Sequence, residues 1–428
     1  MRRLLLATIA ALGCCGALSA EAPAGIYDRD PQHLWNRLYR AIATRTVDGI
    51  EFGSDNSEPY LAPVEDVARL NAVLDEFLAG DNRTRSLGDL RQALLLNDVW
   101  AAFDLAAARD AKPLQNKLAR AIWRLRMSAA AIATLPDNYA QAVKQGDFAK
   151  DFDAAHPNAP FLPPDLFDAS GPWVQIGKRA SGRVTPSHVA SFSGRSTFQI
   201  FIRCPGGRKA TLAYLQTLNL YRTPWALEPA EIATDMSTQE SVRWDPVRVN
   251  KDTPQFPAGT VVALVRQMVA IDEKLEPVLT PITQAVQLRV YRTVGGPQPV
   301  DWLAMFAARQ SVHDFVMRRR DLISGQAGGL HAMTSDEREY RITHDSRGGA
   351  VDMQYLVGPV VLSTCARCHS NEGIFSVNTY TGMLDPMRST NPQLLPADAP
   401  YYERAAVLEW KKRQFDWGLL RGLLAAQP

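Results

Sequence analysis

The sequence predicts a multidomain α+β protein with an N-terminal helical bundle, a β-rich middle domain and a mainly helical C-terminal region. Three observations carry that expectation. Apolar residues recur at helical spacing up to about residue 150, alternate or bunch in β-branched runs between 174 and 298, and return to helical spacing after 300. The 428 residues are 46% hydrophobic and 21% charged, an ordinary globular composition with room for two or three domains.

Each region can be justified in turn. In residues 21–150, Leu34, Leu38 and Ile42 share a helical face beside Trp35 and Tyr39. Leu95, Val99, Ala102, Phe103 and Ala106 make a second face, and Leu118, Ile122, Leu125, Ala129 and Ile132 a third. Breaks near 53–59, 80–82 and Pro136 divide this region into four or five helices, with Trp100 and Trp123 as core residues. Residues 151–173 are rich in proline and read as a linker. In the β-rich region, 174–298, Phe198, Ile200 and Ile202 alternate as in a strand, and a helix is expected over 208–219. Residues 259–272 and 285–294 read as two strands, and the prolines between them predict a long connection. In residues 299–428, a helix is expected over 300–322, with Trp302, Phe306, Val312, Phe315 and Val316 on one face and Arg318–Arg320 at its negative end. A last helix over 400–424 holds Trp410, Phe415 and Trp417.

The first twenty residues have a different character. Arg2 and Arg3 precede an apolar run, Leu4–Leu12, and then small residues up to Ala20. That order is expected of a cleaved export signal over 1–20, and the run is too short to span a bilayer. The expected location is therefore periplasmic or extracellular. Cys14 after Gly13 is a lesser candidate for lipid anchoring, because Ala11 stands where a lipoprotein signal has leucine. The chain has 47 Lys+Arg and 45 Asp+Glu; losing Arg2 and Arg3 leaves 45 of each, so no charge excess favours nucleic acid. No later apolar run is long enough for a transmembrane helix. Three cysteines remain, Cys204, Cys365 and Cys368, too few for a disulfide framework. Cys204 reads as a buried small hydrophobe.

The chemistry concentrates in Cys365-x-x-Cys368-His369. Two thiols separated by two residues reach the two vinyl groups of a porphyrin, and the histidine that follows lies beneath the iron. With 5 Cys and 7 His in the chain, a chance match is on the order of one in a thousand chains. Export agrees with it, since haem is attached after export.

This stretch resembles the c-type cytochromes. The resemblance covers the motif and the 60 to 80 residues around it, and it makes the C-terminal region cytochrome c-like in expectation. It implies one covalent haem c, thioether bonds from Cys365 and Cys368, proximal iron ligation by His369, and a redox partner protein. Residues Val357–Thr364 are placed to present the motif. The sequence departs from the family in two ways. Only 59 residues follow His369, and the Gly-Pro-x-Leu stretch that helps hold the family's proximal histidine is not evident. Met383, 14 residues after His369, is the first candidate distal ligand; Met387, 18 after, is the second, and Met353, His344 and His331 are weaker. An open sixth position is a further alternative.

One-electron transfer is the expected function. The alternatives are a peroxidase- or oxidase-like haem enzyme with His331 or His344 as distal acid/base, a haem-based sensor, and a structural zinc module. A zinc site needs a fourth ligand, for which Cys204 or a distant histidine stands as candidate. A thioredoxin-like redox pair expects a strand before the motif and a helix starting at it, for which "VVLSTCARC" could pass, but the adjacent histidine and the lack of a thioredoxin signature elsewhere make it weaker. "CPGGRK" lacks P-loop spacing, "SFSGRS" is not a nucleophile elbow, and His33, His156, His188 and His313 show no metal spacing with one another.

Overall fold

A computed structural model describes residues 25–47, 50–52, 55, 64–80, 87–177, 185–221, 225–227, 247–250, 252–294, 309–334, 337, 369, 371–377, 380, 395–396 and 402–427. They form helices and an antiparallel sheet, so the protein is of mixed α+β class.

Among the described residues, the first elements are α1 (Leu34–Ala43), a short hairpin of β1 (Arg45–Val47) and β2 (Ile50–Phe52), and α2 (Val64–Ala79). Then come α3 (Asp89–Ala108), α4 (Lys112–Leu125), α5 (Ala129–Ala133) and α6 (Asn138–Gln145). Ser128 and Asp137 cap α5 and α6 by accepting from backbone N–H groups, and His33 caps α1 the same way. The middle helix, α3, is buried on nearly every side. A helix in that position must be apolar all round unless each polar side chain has a partner. Asn97 donates to the Val269 carbonyl at 3.0 Å, Asp98 pairs with Arg319, and Asp104 pairs with Arg195 and Lys411.

The sheet has seven strands: β3 (Val174–Gly177), β4 (Ser196–Arg203), β7 (Thr260–Ile271), β8 (Pro277–Tyr291), β9 (Gln310–Met317), β10 (Leu330–Ala332) and β11 (Leu395–Pro396). Their spatial order is β10-β9-β8-β7-β4-β3-β11, antiparallel throughout. A separate pair is formed by β5 (Trp225–Leu227) and β6 (Val247–Val249). Between strands lie α7 (Pro186–Ser191), α8 (Gly207–Leu220) and α9 (Arg319–Ser324), and the chain closes with α10 (Tyr402–Lys412) and α11 (Phe415–Ala425). One face of the sheet, with Val261, Ala263, Val265, Val286, Leu288, Val290 and Phe315, packs on Phe161, Leu162, Leu166 and Trp173. The alternate residues, Ile200, Ile202, Val262 and Tyr291, enter a different cluster, as the period of two requires. A third cluster joins the helices α1–α4 to Met268–Ile271, Met317 and Trp417.

Four local expectations need correction. Residues 310–317 form a strand, not a helix. Val312, Phe315 and Val316 fit either period, but Ser311, His313 and Phe315 alternate with Val312, Asp314 and Val316, and pairing with β8 decides between them. The triple arginine accordingly starts the short α9; Arg319 is core, ion-paired to Asp98 with its guanidinium 4.9 Å from the centre of the Tyr39 ring. The connection from β7 to β8 is a tight turn: the Asp272 carboxylate accepts from Lys274 N and Glu276 N at 2.9 Å each. Pro281 is tolerated within β8 because the pairing shifts register opposite it. Residues 151–173 are no free linker, since Phe161 and Trp173 are fully buried. The last helix is two, and of Trp410, Phe415 and Trp417 only Trp417 is buried; Phe415 is 81% exposed.

His313 lies between Phe152 and Phe161, with ring centres at 6.2 and 5.0 Å. Burial pushes its pKa down to about 4. The unfolded chain therefore binds a proton near pH 6.5 that the folded chain refuses until pH 4. Stability from this residue is full above pH 6.5 and falls by about 3 kcal/mol as pH drops towards 4. Urea unfolding of wild type and His313→Phe across that range should show the difference between them closing or reversing as pH falls; a constant difference would contradict it.

Candidate functional site

His369 is the one motif residue among those described. It is half-buried and held from several sides. Gln310, the first residue of β9, donates from Nε2 to the His369 carbonyl at 3.3 Å. Glu372 pairs with the buried Arg309 at 2.9 Å. A 3₁₀ turn follows over Gly373–Ser376. Gly373 has φ +51°, and a Cβ there would collide with Gln255 Oε1, which accepts from Ile374 N at 3.1 Å; glycine is required on both counts. Ile374, Phe375, Val377 and Tyr380 then bury themselves with Ile200, Ile202 and Val262.

This turn presents a carbonyl to the imidazole. His369 Nδ1 lies 2.7 Å from the Ser376 carbonyl oxygen. A carbonyl only accepts, so Nδ1 carries the proton, and in the neutral ring Nε2 keeps its lone pair. The turn is pinned in its own right: Ser376 Oγ donates to the Gly373 carbonyl at 2.8 Å, and Tyr291 OH donates to Ser376 Oγ at 2.6 Å. Burial raises the Tyr291 pKa, which keeps that hydroxyl a donor.

A second histidine meets the first. His188 lies on α7, with its ring over Phe198 of β4, centres 5.4 Å apart. Its ring and that of His369 are 6.3 Å apart between centres and parallel to within 1°. Aromatic pairs at similar separation elsewhere cross steeply: Tyr27–Trp35 at 6.0 Å and 68°, Phe152–His313 at 6.2 Å and 62°, the edge-to-face arrangement ring quadrupoles favour. On the same side, the Arg266 guanidinium lies 4.3 Å from the centre of the Phe192 ring, one helical turn beyond His188.

The position of α7 is fixed by what ends it. Ser193 and Gly194 both have positive φ, +47° and +69°, and Gly194 N donates back to the Val189 carbonyl at 2.9 Å. "SFSGRS" is thus a helix-to-strand turn. The next residue, Arg195, is buried and bonds Asp104 of α3 at 2.5 Å. Lys411 of α10, also buried, lies 3.3 Å from Asp104 and 2.5 Å from Asp416 of α11. Two carboxylates and two cations thereby balance. Burial raises the Asp104 pKa to about 6, against the pull of Lys411 and Arg195.

The remaining candidates distribute as follows. Cys14, Cys365, Cys368, Met383, Met387, Met353, His344 and residues 357–364 lie outside the described residues. His331 Nε2 is bonded to Glu337 at 2.8 Å and His156 Nδ1 to Asp153 at 2.7 Å. Cys204 is a buried free thiol whose pKa burial raises, as expected of a core residue. Among the described residues no three His, Cys, Asp or Glu side chains gather as a metal site, and no helix is long and apolar enough to cross a membrane. The sequence passed over His188 because its partner is 181 positions away, and no local spacing marks such a pair. The chain matches no protein-family model, no curated protein and no solved structure.

Asp104→Ala would leave Arg195 and Lys411 buried and short of a partner. It should cost about 3–5 kcal/mol in urea unfolding; a loss under about 1 kcal/mol would contradict the network's role.

Proposed function

We propose that this is an exported protein carrying one covalently bound haem c, which passes single electrons to or from a partner protein. In this reading, residues 299–428 carry the cytochrome c-like motif, and the helical bundle and β-rich region before them supply the frame and the partner surface. The observation that carries the proposal is Cys365-x-x-Cys368-His369, with His369 Nδ1 bonded to the Ser376 carbonyl. A haem-ligating histidine needs its second nitrogen tied to a carbonyl or carboxylate, which fixes the tautomer and the ring's orientation. Ser376 takes the place of the missing Gly-Pro-x-Leu backbone.

The residues present fit a haem. The neutral His369 ring offers Nε2 to iron, and the apolar cluster of Ile374, Phe375, Ile200 and Val262 lies beside it. Arg266 and Arg289 extend from the same face of the sheet, as the paired positions of β7 and β8 require; guanidinium groups are suited to carboxylates such as the porphyrin propionates. Cys365 and Cys368 would hold the group through thioether bonds, each S–H adding across a vinyl C=C, which calls for no oxidant. Once bound, the haem supplies a one-electron iron couple whose potential depends on axial ligands, hydrogen bonds and burial.

The alternatives draw less support. Cys204, named above as a candidate fourth ligand for zinc, is buried in an apolar cluster with Ile202, Leu215 and Phe256. His331, one of the two acid/base candidates of an enzyme reading, is bonded to Glu337.

The test is intact mass after denaturation, on protein co-expressed with a c-type maturation system. The expected mass is that of the chain without residues 1–20 plus one haem. The Cys365→Ala, Cys368→Ala double variant should lose the haem entirely. A wild-type mass with no haem, from cells that mature another c-type cytochrome, would contradict the proposal.

A further inference from the structure

We infer that His188 is the distal axial ligand, so that the iron is held between two imidazoles. The inference rests on the haem reading above and replaces the methionine expected from sequence.

An imidazole nitrogen ligating a metal lies about 2 Å from it and about 1 Å from its own ring centre, so a metal between two imidazoles separates their centres by about 6 Å. The His188 and His369 centres are 6.3 Å apart. That is too far for two parallel rings in face contact, and parallel planes are not what edge-to-face attraction selects at that distance. Axial ligation accounts for both quantities. A porphyrin contributes four nitrogens of its own, so two protein ligands complete the iron.

The elements carrying the two histidines are built to hold this spacing. His369 is oriented by the Ser376 carbonyl and its main chain by Gln310. His188 is backed by Phe198, while Val189 beside it packs with Phe198 and Val407. The turn after α7 is locked by Arg195 on Asp104. Both rings are thus fixed from behind by the same sheet, His188 through β4 and His369 through β8 and β9.

Two consequences follow for function. Strong ligands on both sides leave no open iron position, which favours electron transfer over peroxide chemistry or gas sensing. An imidazole in place of a methionine thioether also lowers the reduction potential, since methionine raises it in cytochromes c. The partner is then a low-potential donor or acceptor.

The experiment compares matured wild type, His188→Ala, His188→Met and a Met383→Ala, Met387→Ala double variant, with covalent haem quantified in each after denaturation. Ferric wild type should give a low-spin spectrum without the thioether-to-iron band, and a rhombic low-spin EPR signal, as parallel imidazole planes produce. His188→Ala should turn high-spin and return to low-spin on adding imidazole. His188→Met should raise the midpoint potential. The methionine double variant should match wild type; if the His188 variants do not fold, the wild-type EPR g-values decide, since two imidazoles and an imidazole with a thioether give different sets and a thioether set would overturn the assignment. Low-spin haem persisting in His188→Ala, or lost in the methionine double variant, would overturn the His188 assignment while leaving the haem reading intact. Absence of covalent haem in wild type would overturn both.

Discussion

Buried carboxylates on one helix constrain this protein more than any other feature. Asp98 and Asp104 lie on α3, almost wholly removed from water. A charge in that setting is tolerable only with a partner at contact distance. Asp98 meets Arg319, at the start of α9, and the Tyr27 hydroxyl. Asp104 meets Arg195, at the start of β4, and Lys411 of α10. These partners come from widely separated parts of the chain, so satisfying α3 places the helical layer, two ends of the sheet and the last two helices together. Polar pairing of this kind adds less stability than an apolar core of the same volume would, but it admits few alternative arrangements.

The candidate site inherits that constraint. Arg195 directly follows the turn that ends α7, so the ion network that satisfies α3 also sets where His188 stands. On the other side, Gln310 and Tyr291 of adjacent strands hold the backbone and turn that carry His369. The same sheet stands behind both histidines and sets the separation of the two imidazoles. A redox centre that changes charge without changing geometry needs such a frame, because reorganisation slows electron transfer. In the proposed reading this gives the several hundred residues outside the motif a physical role: they would fix the second ligand and its distance from the first.

Much of this was legible in sequence, for reasons that can be named. Leu95, Val99 and Phe103 follow a period near 3.6, and Phe198, Ile200 and Ile202 a period of two; each set lies in the expected element. Cys204 was legible as core from its isolation. Residues 310–317 were not, because Val312, Phe315 and Val316 satisfy both periods and only pairing with β8 distinguishes them. In sequence Arg319 reads as a cation at a helix's negative end, since nothing local reveals Asp98 more than two hundred positions away. The prolines of β8 suggested a loop because a register shift, the feature that accommodates Pro281, has no sequence signature. At the site, His369 was identified by its neighbours in sequence. His188 was missed because the parallel ring pair exists only in three dimensions.

The central claim is that a haem is fixed covalently in this frame. A pyridine haemochrome spectrum of the matured protein tests it most directly, because pyridine displaces both axial ligands and leaves only the attachment to be read. The account predicts an α-band at the position of haem with two thioether bonds, one haem per chain, retained through acid–acetone extraction. Haem extracted by the solvent, or none bound at all, would contradict it.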